Sequence, residues 1–208
     1  MSYPESMVQL IEEFARMPGV GRRTAERFAF YILSAPKEEV ETFSKLLLKV
    51  NGNIHYCQEC FNLSEAPICH ICADPARDHS VICVVQDPKD VVAIEKSDDY
   101  SGIYHVLLGT LSPLEGVGPK DIRIKELLDR LKKGGIQEVI LGTSSDTEGD
   151  ATCVYLTKQI QAMSAKGGSV SGGKIKLTRI AHGVPVGSAL EFVDRATLSR
   201  AFKQRQMV

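Results

Sequence analysis

Apolar residues near the start of the chain recur every three or four positions, the spacing that gathers them on one face of an α-helix. Three such series lie at 8–14, 25–32 and 40–50, and a Pro-Gly pair at 18–19 separates the first two. The pattern predicts three helices within residues 1–53.

After residue 80 the pattern changes to short apolar runs that alternate with amphipathic segments. Apolar strands separated by helices are typical of a mainly parallel sheet that is covered on both faces, so the predicted fold class is α/β. A Gly/Ser-rich loop is predicted over 166–174. The predicted strands are 81–85, 103–108, 138–142 and 175–181, and the predicted helices are 88–96, 121–133, 148–165 and 194–205.

Between these regions, residues 55–79 show no periodicity and contain four paired cysteines, Cys57, Cys60, Cys69 and Cys72. Two Cys-x2-Cys pairs supply the four thiolates of a closed, structural zinc site, and the alternative is four unrelated reduced thiols. We expect one zinc ion per chain. Because a segment of this size without an apolar core cannot offset its chain entropy, we also expect the metal to fold it.

Composition and charge limit the functional classes. The 208 residues include 25 Lys and Arg against 26 Asp and Glu, a net charge of −1, which excludes a uniformly basic nucleic-acid coat. No apolar run has the length of a membrane span, and the first residues lack the pattern of a signal peptide. We expect a cytoplasmic protein without a membrane partner, and a reducing compartment favours metal binding over disulfides.

The segment between the first two predicted helices has the features of a phosphate-binding turn. Gly19 and Gly21 allow close approach of a backbone, and Arg22, Arg23 and Arg27 add positive charge at the entrance of the second helix. This pattern predicts a helix-hairpin-helix that binds DNA through its phosphates, without base specificity. The alternative is a plain αα-hairpin, which can also serve as a dimer contact.

An acidic cluster follows the third predicted strand, where parallel sheets place ligands and metals. Asp146, Glu148 and Asp150 are its carboxylates, and they are candidates for a weak magnesium site or a partner surface. The competing interpretation is a helix start, since Ser145 and Glu148 have the spacing of a capping box.

Together these residues resemble the RecR family of bacterial recombination mediators. The hairpin, the four-cysteine module and an acidic turn of the Toprim type occur in that order, and the segments at 111–119, 178–187 and 197–200 are similar to the family's long loop and C-terminal segment. The implied domains are a helix-hairpin-helix module at 1–53, a zinc module at 54–79, a Toprim domain at 80–175 and a C-terminal segment at 176–208 that packs on the Toprim domain and forms an oligomer contact.

The resemblance implies a role in recombinational DNA repair. The expected protein is a nucleoid-associated, non-enzymatic clamp, a homo-oligomeric ring between dimer and tetramer in size. It would bind single- and double-stranded DNA without sequence preference, and act with RecO and RecF to help load RecA on single-stranded gaps.

Carried over by position, Arg23 and Arg27 match DNA-contacting residues of the family, and the four cysteines match its zinc ligands. The catalytic residues of Toprim enzymes match only in part, because Gln86 replaces the usual Glu and Ser144 replaces the first Asp of the metal-binding pair. A neutral amide cannot exchange a proton as a general acid or base, so we expect no catalysis.

Two alternatives stay open at this point. A magnesium-dependent Toprim nuclease or primase-like enzyme would use Asp146 and Glu148. A zinc-stabilised assembly module would not contact DNA at all. If RecO docks on the Toprim face, Glu148 and Asp150 are the candidates to meet its basic residues.

Overall fold

The chain divides into two units, Met1–Ile54 and His55–Val208. The computed structural model describes residues 3–165, 175–181 and 183–205. The loop predicted at 166–174 lies outside the described residues, as does His182 within the segment at 178–187.

The first unit consists of the three predicted helices, which are confirmed. They are α1 (Glu5–Ala15), α2 (Arg22–Ser34) and α3 (Lys37–Asn53). The buried core of this unit is small: Ile11 and Phe14 of α1 pack against Ala25 and Ala29 of α2. The two alanines allow the helix axes to approach closely, and none of the residues of α3 is buried.

The second unit begins with short elements and continues into a layered α/β structure. Its strands are β1 (His55–Tyr56), β2 (Leu63–Ser64), β3 (Asp78–Val85), β4 (Gly102–Val106), β5 (Glu138–Leu141) and β6 (Lys176–Arg179). Its helices are α4 (His70–Ala73), α5 (Pro88–Glu95), α6 (Ile124–Lys132), α7 (Thr147–Ala165) and α8 (Arg195–Lys203).

The centre of this unit is a four-stranded parallel sheet with the order β4-β3-β5-β6. The chain runs from β3 to its neighbour β4 and then crosses to β5 on the other side of β3. Parallel sheets bind ligands where the strand order reverses in this way, at the carboxyl ends of the two central strands.

Alternate residues of β3 point into two separate cores. Ile82 and Val84 belong to the core that α6 and α7 cover, whereas Cys83 and Val85 belong to a core on the opposite face. The predicted coverage of both faces is therefore confirmed.

The second of these cores is shared with the four-cysteine module. The four cysteines and Ile71 are buried together with Val85, Tyr104 and Val106 of the sheet. We expected a module without an apolar core of its own, and the structure shows that it uses a core formed with its neighbour. The short elements β1, β2 and α4 of this module lack a sequence signal.

The C-terminal segment contains β6, a 3-10 helix at Leu190–Phe192 and α8. Asp194 caps α8 by accepting hydrogen bonds from the backbone N–H groups of Ala196 and Thr197, which explains why the helix begins where the pattern predicts. The 3-10 helix was not predicted, since three residues are too few for a periodic signal. In the described ranges, no helix has both the length and the apolar character that a membrane crossing requires.

Candidate zinc centre and nucleic-acid interface

The sulfur atoms of Cys57, Cys60, Cys69 and Cys72 converge on one point of the second unit. All four lie within 4.8 Å of one another, and the side chains are buried. Four thiol ligands in a closed, buried arrangement fit a tetrahedral structural zinc ion and leave no position for a catalytic water. The residues present therefore fit the metal that the spacing predicts.

The backbone around the first cysteine pair forms a tight turn directed at the cluster. Phe61 has a positive φ of 62°, and the N–H of Asn62 points at Cys60 Sγ, 3.5 Å away. A second N–H, that of Cys69, donates to Cys57 Sγ at 3.3 Å. N–H groups aimed at sulfur stabilise the thiolate form, which is the form that binds metal.

The thiols influence one another before any metal binds. Cys60 Sγ and Cys69 Sγ are 3.5 Å apart, and their hydrogen bond raises the pKa of Cys60 and lowers the pKa of Cys69. Zinc binds thiolates, so a divalent cation at this point favours the deprotonated form of all four ligands.

The turn of the first cysteine pair is fixed to the four-stranded parallel sheet. The carbonyl of Cys60 accepts a hydrogen bond from the N–H of Val106 at 2.7 Å. The ring of Phe61 meets His105 edge to face, and the guanidinium of Arg123 lies 5.1 Å above the ring centroid of Phe61. These contacts hold the zinc cluster against β4.

The predicted phosphate-binding turn lies between α1 and α2. Gly19 has a φ of +78°, a conformation that favours glycine, and Gly21 precedes the first helical residue without a side-chain cap. The first N–H groups of α2 therefore point away from the helix, where they can meet an anion.

Three arginines surround this helix start, all of them exposed. Arg22 lies 3.8 Å from Glu26, so its charge is partly matched. Arg23 and Arg27 form no ion pair with any residue in the described ranges, and they line a shallow pocket one helical turn apart. Their charges are thus available to a partner from outside the chain.

Gln86 and Ser144 meet at the carboxyl ends of β3 and β5, where the strand order reverses. The amide Oε1 of Gln86 accepts a hydrogen bond from the N–H of Ser144 at 3.1 Å. These are the two positions at which the sequence departs from the catalytic Toprim pattern. A neutral amide that holds a backbone N–H does not act as a general acid or base near neutral pH.

Each carboxylate of the acidic cluster already has a partner. Asp146 accepts hydrogen bonds from the hydroxyl of Ser144 at 2.6 Å and from the N–H of Gly149 at 2.7 Å, and these bonds lower its pKa. Asp146 thus caps the start of α7. The hydroxyl of Ser112, in the long loop after β4, donates to Glu148 Oε1 at 2.5 Å.

Asp150 is held between two arginines of the C-terminal segment. Arg179 of β6 donates to Oδ1 at 2.5 Å, and Arg200 of α8 donates to Oδ2 at 2.6 Å. Arg200 also donates to the carbonyl of Ser145 at 3.0 Å. The acidic turn therefore anchors both the last strand and the last helix of the fold.

This arrangement bears on the magnesium site that the sequence left open. Across the part of the chain that the structure describes, the four cysteines are the one group of three or more ligating side chains gathered closely enough to share a metal ion. Asp146, Glu148 and Asp150 are instead turned toward a helix cap, a loop hydroxyl and two guanidinium groups.

The contacts of Arg179 and Arg200 with Asp150 predict how the stability of the fold depends on acid. The guanidinium of Arg179, followed by that of Arg200, holds the pKa of Asp150 below its usual value. Such a carboxylate adds stability that is complete above the pKa of the unfolded chain, about 4, and is lost as pH falls through the lower folded-state value. We expect Asp150→Asn to lower the melting temperature by a few degrees at pH 7 and to have no effect below the folded-state pKa.

Melting curves of the wild type and the variant between neutral and strongly acidic pH measure this difference. Glu191→Gln, an exposed acid of the 3-10 helix, is the control and should leave the curves unchanged. A constant difference at every pH would show that the carboxylate charge is not what matters.

Three side chains of this region were missed by sequence reasoning. Arg179, Arg200 and Ser112 lie 29, 50 and 36 positions from the acids that they contact. Pairings over such distances have no periodic or spacing signal in a single sequence.

Comparison with known proteins identifies the modules. Family models match residues 7–50 as the RecR helix-hairpin-helix, residues 54–74 as the RecR four-cysteine zinc finger domain and residues 80–181 as a Toprim domain. A fourth matches residues 183–206 as the RecR C-terminal region. With the cysteine geometry, these matches establish one structural zinc ion. The chain belongs to the RecR family, with the recombination and repair role, the DNA binding and the oligomerisation that this family implies.

Proposed function

We propose that this protein is a non-enzymatic recombination mediator that closes into a ring around DNA and acts with RecO and RecF to help load RecA on single-stranded gaps. The observation that carries the proposal is the pair of unmatched arginines beside the open N-terminus of α2. In the cell it would be cytoplasmic and associated with the nucleoid.

The DNA contact is proposed for the α1–α2 turn. Glycines at positions 19 and 21 leave space for a phosphate, the free N–H groups of α2 donate to it, and Arg23 and Arg27 neutralise its charge. Such contacts are made to the backbone of DNA, so binding to single and double strands should show little sequence preference and fall steeply with salt.

The first proposed contact between copies is an apolar groove in the helical unit. The groove has a volume of about 380 Å³ and is formed by side chains of all three helices, among them Phe14, Phe28 and Phe43. Although α3 has apolar residues at helical spacing, none is buried, and Leu46, Leu47 and Val50 are more than half exposed. An amphipathic helix with this much exposed apolar surface is best explained by a second copy covering it.

A second exposed apolar set lies in the C-terminal segment, at Val186, Leu190, Phe192 and Phe202. We propose it as the other oligomer contact, in line with the predicted domain at 176–208. Two self-complementary interfaces on different parts of one chain can alternate around a ring with an even number of copies. Four copies is the smallest such ring that uses both contacts.

A ring also accounts for the neutral net charge. One chain offers only the small basic patch of the α2 entrance, which by itself would bind DNA weakly. When several patches are linked, binding of the first raises the effective concentration of the others, so that avidity replaces bulk positive charge.

Light scattering tests the assembly. We expect the wild type to have the mass of a dimer or tetramer, and Phe43→Asp to halve the tetramer mass, because a buried carboxylate disrupts one of two contacts and leaves the other. The matched control is Leu114→Asp, since Leu114 is 99% exposed at the tip of a loop and should not affect the mass. A monomeric wild type, with and without DNA, would contradict the ring.

The absence of catalysis is proposed from the Toprim edge. Gln86 provides no proton acceptor, and the partners of the three acids are side chains and backbone of the same chain. We expect neither strand cleavage nor primer synthesis when purified protein is incubated with magnesium and DNA. Either activity, if it disappears in Glu148→Gln, would establish the enzyme that the sequence left as an alternative.

The acidic turn remains the proposed surface for RecO. Because two arginines of the same chain neutralise Asp150, Asp146 and Glu148 are better placed to meet a basic partner. Asp146 is exposed, whereas Glu148 is half-buried beside Ser112.

A further inference from the structure

The pocket that holds Arg23 and Arg27 has an aromatic end. It is lined by Arg23, Glu26, Arg27, Phe30, Tyr31 and Ser34, which form a stripe along α2 that begins at the proposed phosphate contact. Tyr31 follows Arg27 by four residues, so the ring lies one helical turn beyond the guanidinium. Surfaces that bind single-stranded nucleic acid combine cations, which contact the phosphates, with exposed aromatic rings, on which the bases stack.

Tyr31 is unusually exposed for an aromatic side chain, at 64%. In the described ranges its ring has no stacking or edge-to-face contact with another aromatic ring, whereas the neighbouring Phe30 meets Tyr3 edge to face at 5.7 Å. Phe30 thus forms a fixed wall of the pocket, and the ring of Tyr31 has a face available.

We infer that Tyr31 is a stacking platform for an unpaired base of single-stranded DNA whose phosphates lie on Arg23 and Arg27. The inference rests on the proposed DNA contact and adds to it a means of preferring single strands. The arginines can contact the phosphates of single- and double-stranded DNA alike. Bases of a duplex are stacked on one another and have no free face, so only a single strand can stack a base on the tyrosine.

The charge distribution along the stripe supports this occupant. Glu26, the one acid in the pocket, is turned toward Arg22 at 3.8 Å, so the remaining charges are the two positive ones. Tyr31 also borders the apolar groove at which we propose a contact between copies. The inference requires one face of its ring to stay outside that contact, and a second copy of the chain is the competing occupant.

The test compares three DNA ligands on the full-length protein: an oligothymidylate, an abasic strand of the same length and charge, and a duplex. For the wild type we expect the abasic strand to bind about 5- to 150-fold more weakly than the oligothymidylate, the range that base stacking on an aromatic ring provides. Tyr31→Ala should lose that discrimination while its affinity for the abasic strand and the duplex stays the same. Tyr31→Phe should keep it, because a stacking ring needs no hydroxyl.

Leu33→Ala is the matched control, since Leu33 is exposed on the same helix, does not line the pocket and lies two residues after Tyr31, on the opposite side of the helix from that ring. An unchanged affinity of Tyr31→Ala for oligothymidylate would overturn the inference and leave the arginine contact untouched. An equal loss on all three ligands, or a change in the mass measured by light scattering, would also overturn it, because Tyr31 would then act in the fold or between copies. The inference would also be overturned if Tyr31→Phe lost as much affinity for oligothymidylate as Tyr31→Ala.

Discussion

Removal of zinc is expected to unfold the four-cysteine module and to lower the melting temperature of the His55–Val208 unit as a whole. Metal binding contributes about 10–16 kcal/mol in isolated zinc modules, more than the net stability of many domains. The cysteines of this chain are buried in the same core as Val85, Tyr104 and Val106 of the sheet. The loss of stability should therefore extend beyond residues 54–74 into the adjoining strands.

Cys60→Ser is the sharpest variant, because it removes a zinc ligand at the residue whose backbone carbonyl joins the module to β4. We expect loss of bound zinc, rapid proteolysis within residues 54–74 and a melting temperature lowered by about ten degrees or more, which is what several kcal/mol cause in a domain of this size. Cys153→Ala is the control, since Cys153 is also buried but lies in the core on the other face. A chelated protein whose residues 54–74 still resist protease would contradict the expectation.

The second large effect is expected for the double variant Arg23→Ala, Arg27→Ala. Each arginine that holds a phosphate contributes about 1.5–3 kcal/mol through charged hydrogen bonds, so the pair should weaken binding at least about 100-fold. The dependence of log affinity on log salt should also become shallower by about two units, because two fewer counterions are released from the DNA. These values are for one copy, and both changes grow with the number of copies that hold the same DNA, because every copy loses its contact.

Binding isotherms at several salt concentrations measure both quantities. Lys37→Ala is the control: it removes one exposed positive charge of the helical unit outside the pocket, at the start of α3. An affinity that does not change in the double variant would place the DNA contact elsewhere on the chain.

The elements of the fold that have a short-range apolar periodicity were predictable from the sequence. The longer helices and strands with apolar periodicity occur where the pattern places them, because burial of one face acts on every turn or every second residue. The two Cys-x2-Cys pairs were equally informative, since zinc restricts its ligands to few spacings.

The remainder depends on contacts between distant residues. Nothing near Asp150 in the sequence indicates that Arg179 and Arg200 will enclose it, and the acids were consequently assigned to a metal or a partner. A capping box of Ser145 with Glu148 was the competing interpretation of this cluster; the structure shows Asp146 accepting a bond from the N–H of Gly149, and Glu148 accepting one from Ser112. Several short polar residues at a helix start can cap it, and tertiary contacts decide among them.

The attachment of the zinc module to β4 has a consequence for solubility. In the order β4-β3-β5-β6, β4 is an edge strand, and edge strands expose unpaired N–H and C=O groups that can join another molecule. Here the N–H of Val106 donates a hydrogen bond to the carbonyl of Cys60, and the guanidinium of Arg130 donates one to the carbonyl of Tyr104. Bound zinc would hold in place the loop that covers this sheet edge, so loss of the metal should also expose the edge to pairing with other molecules.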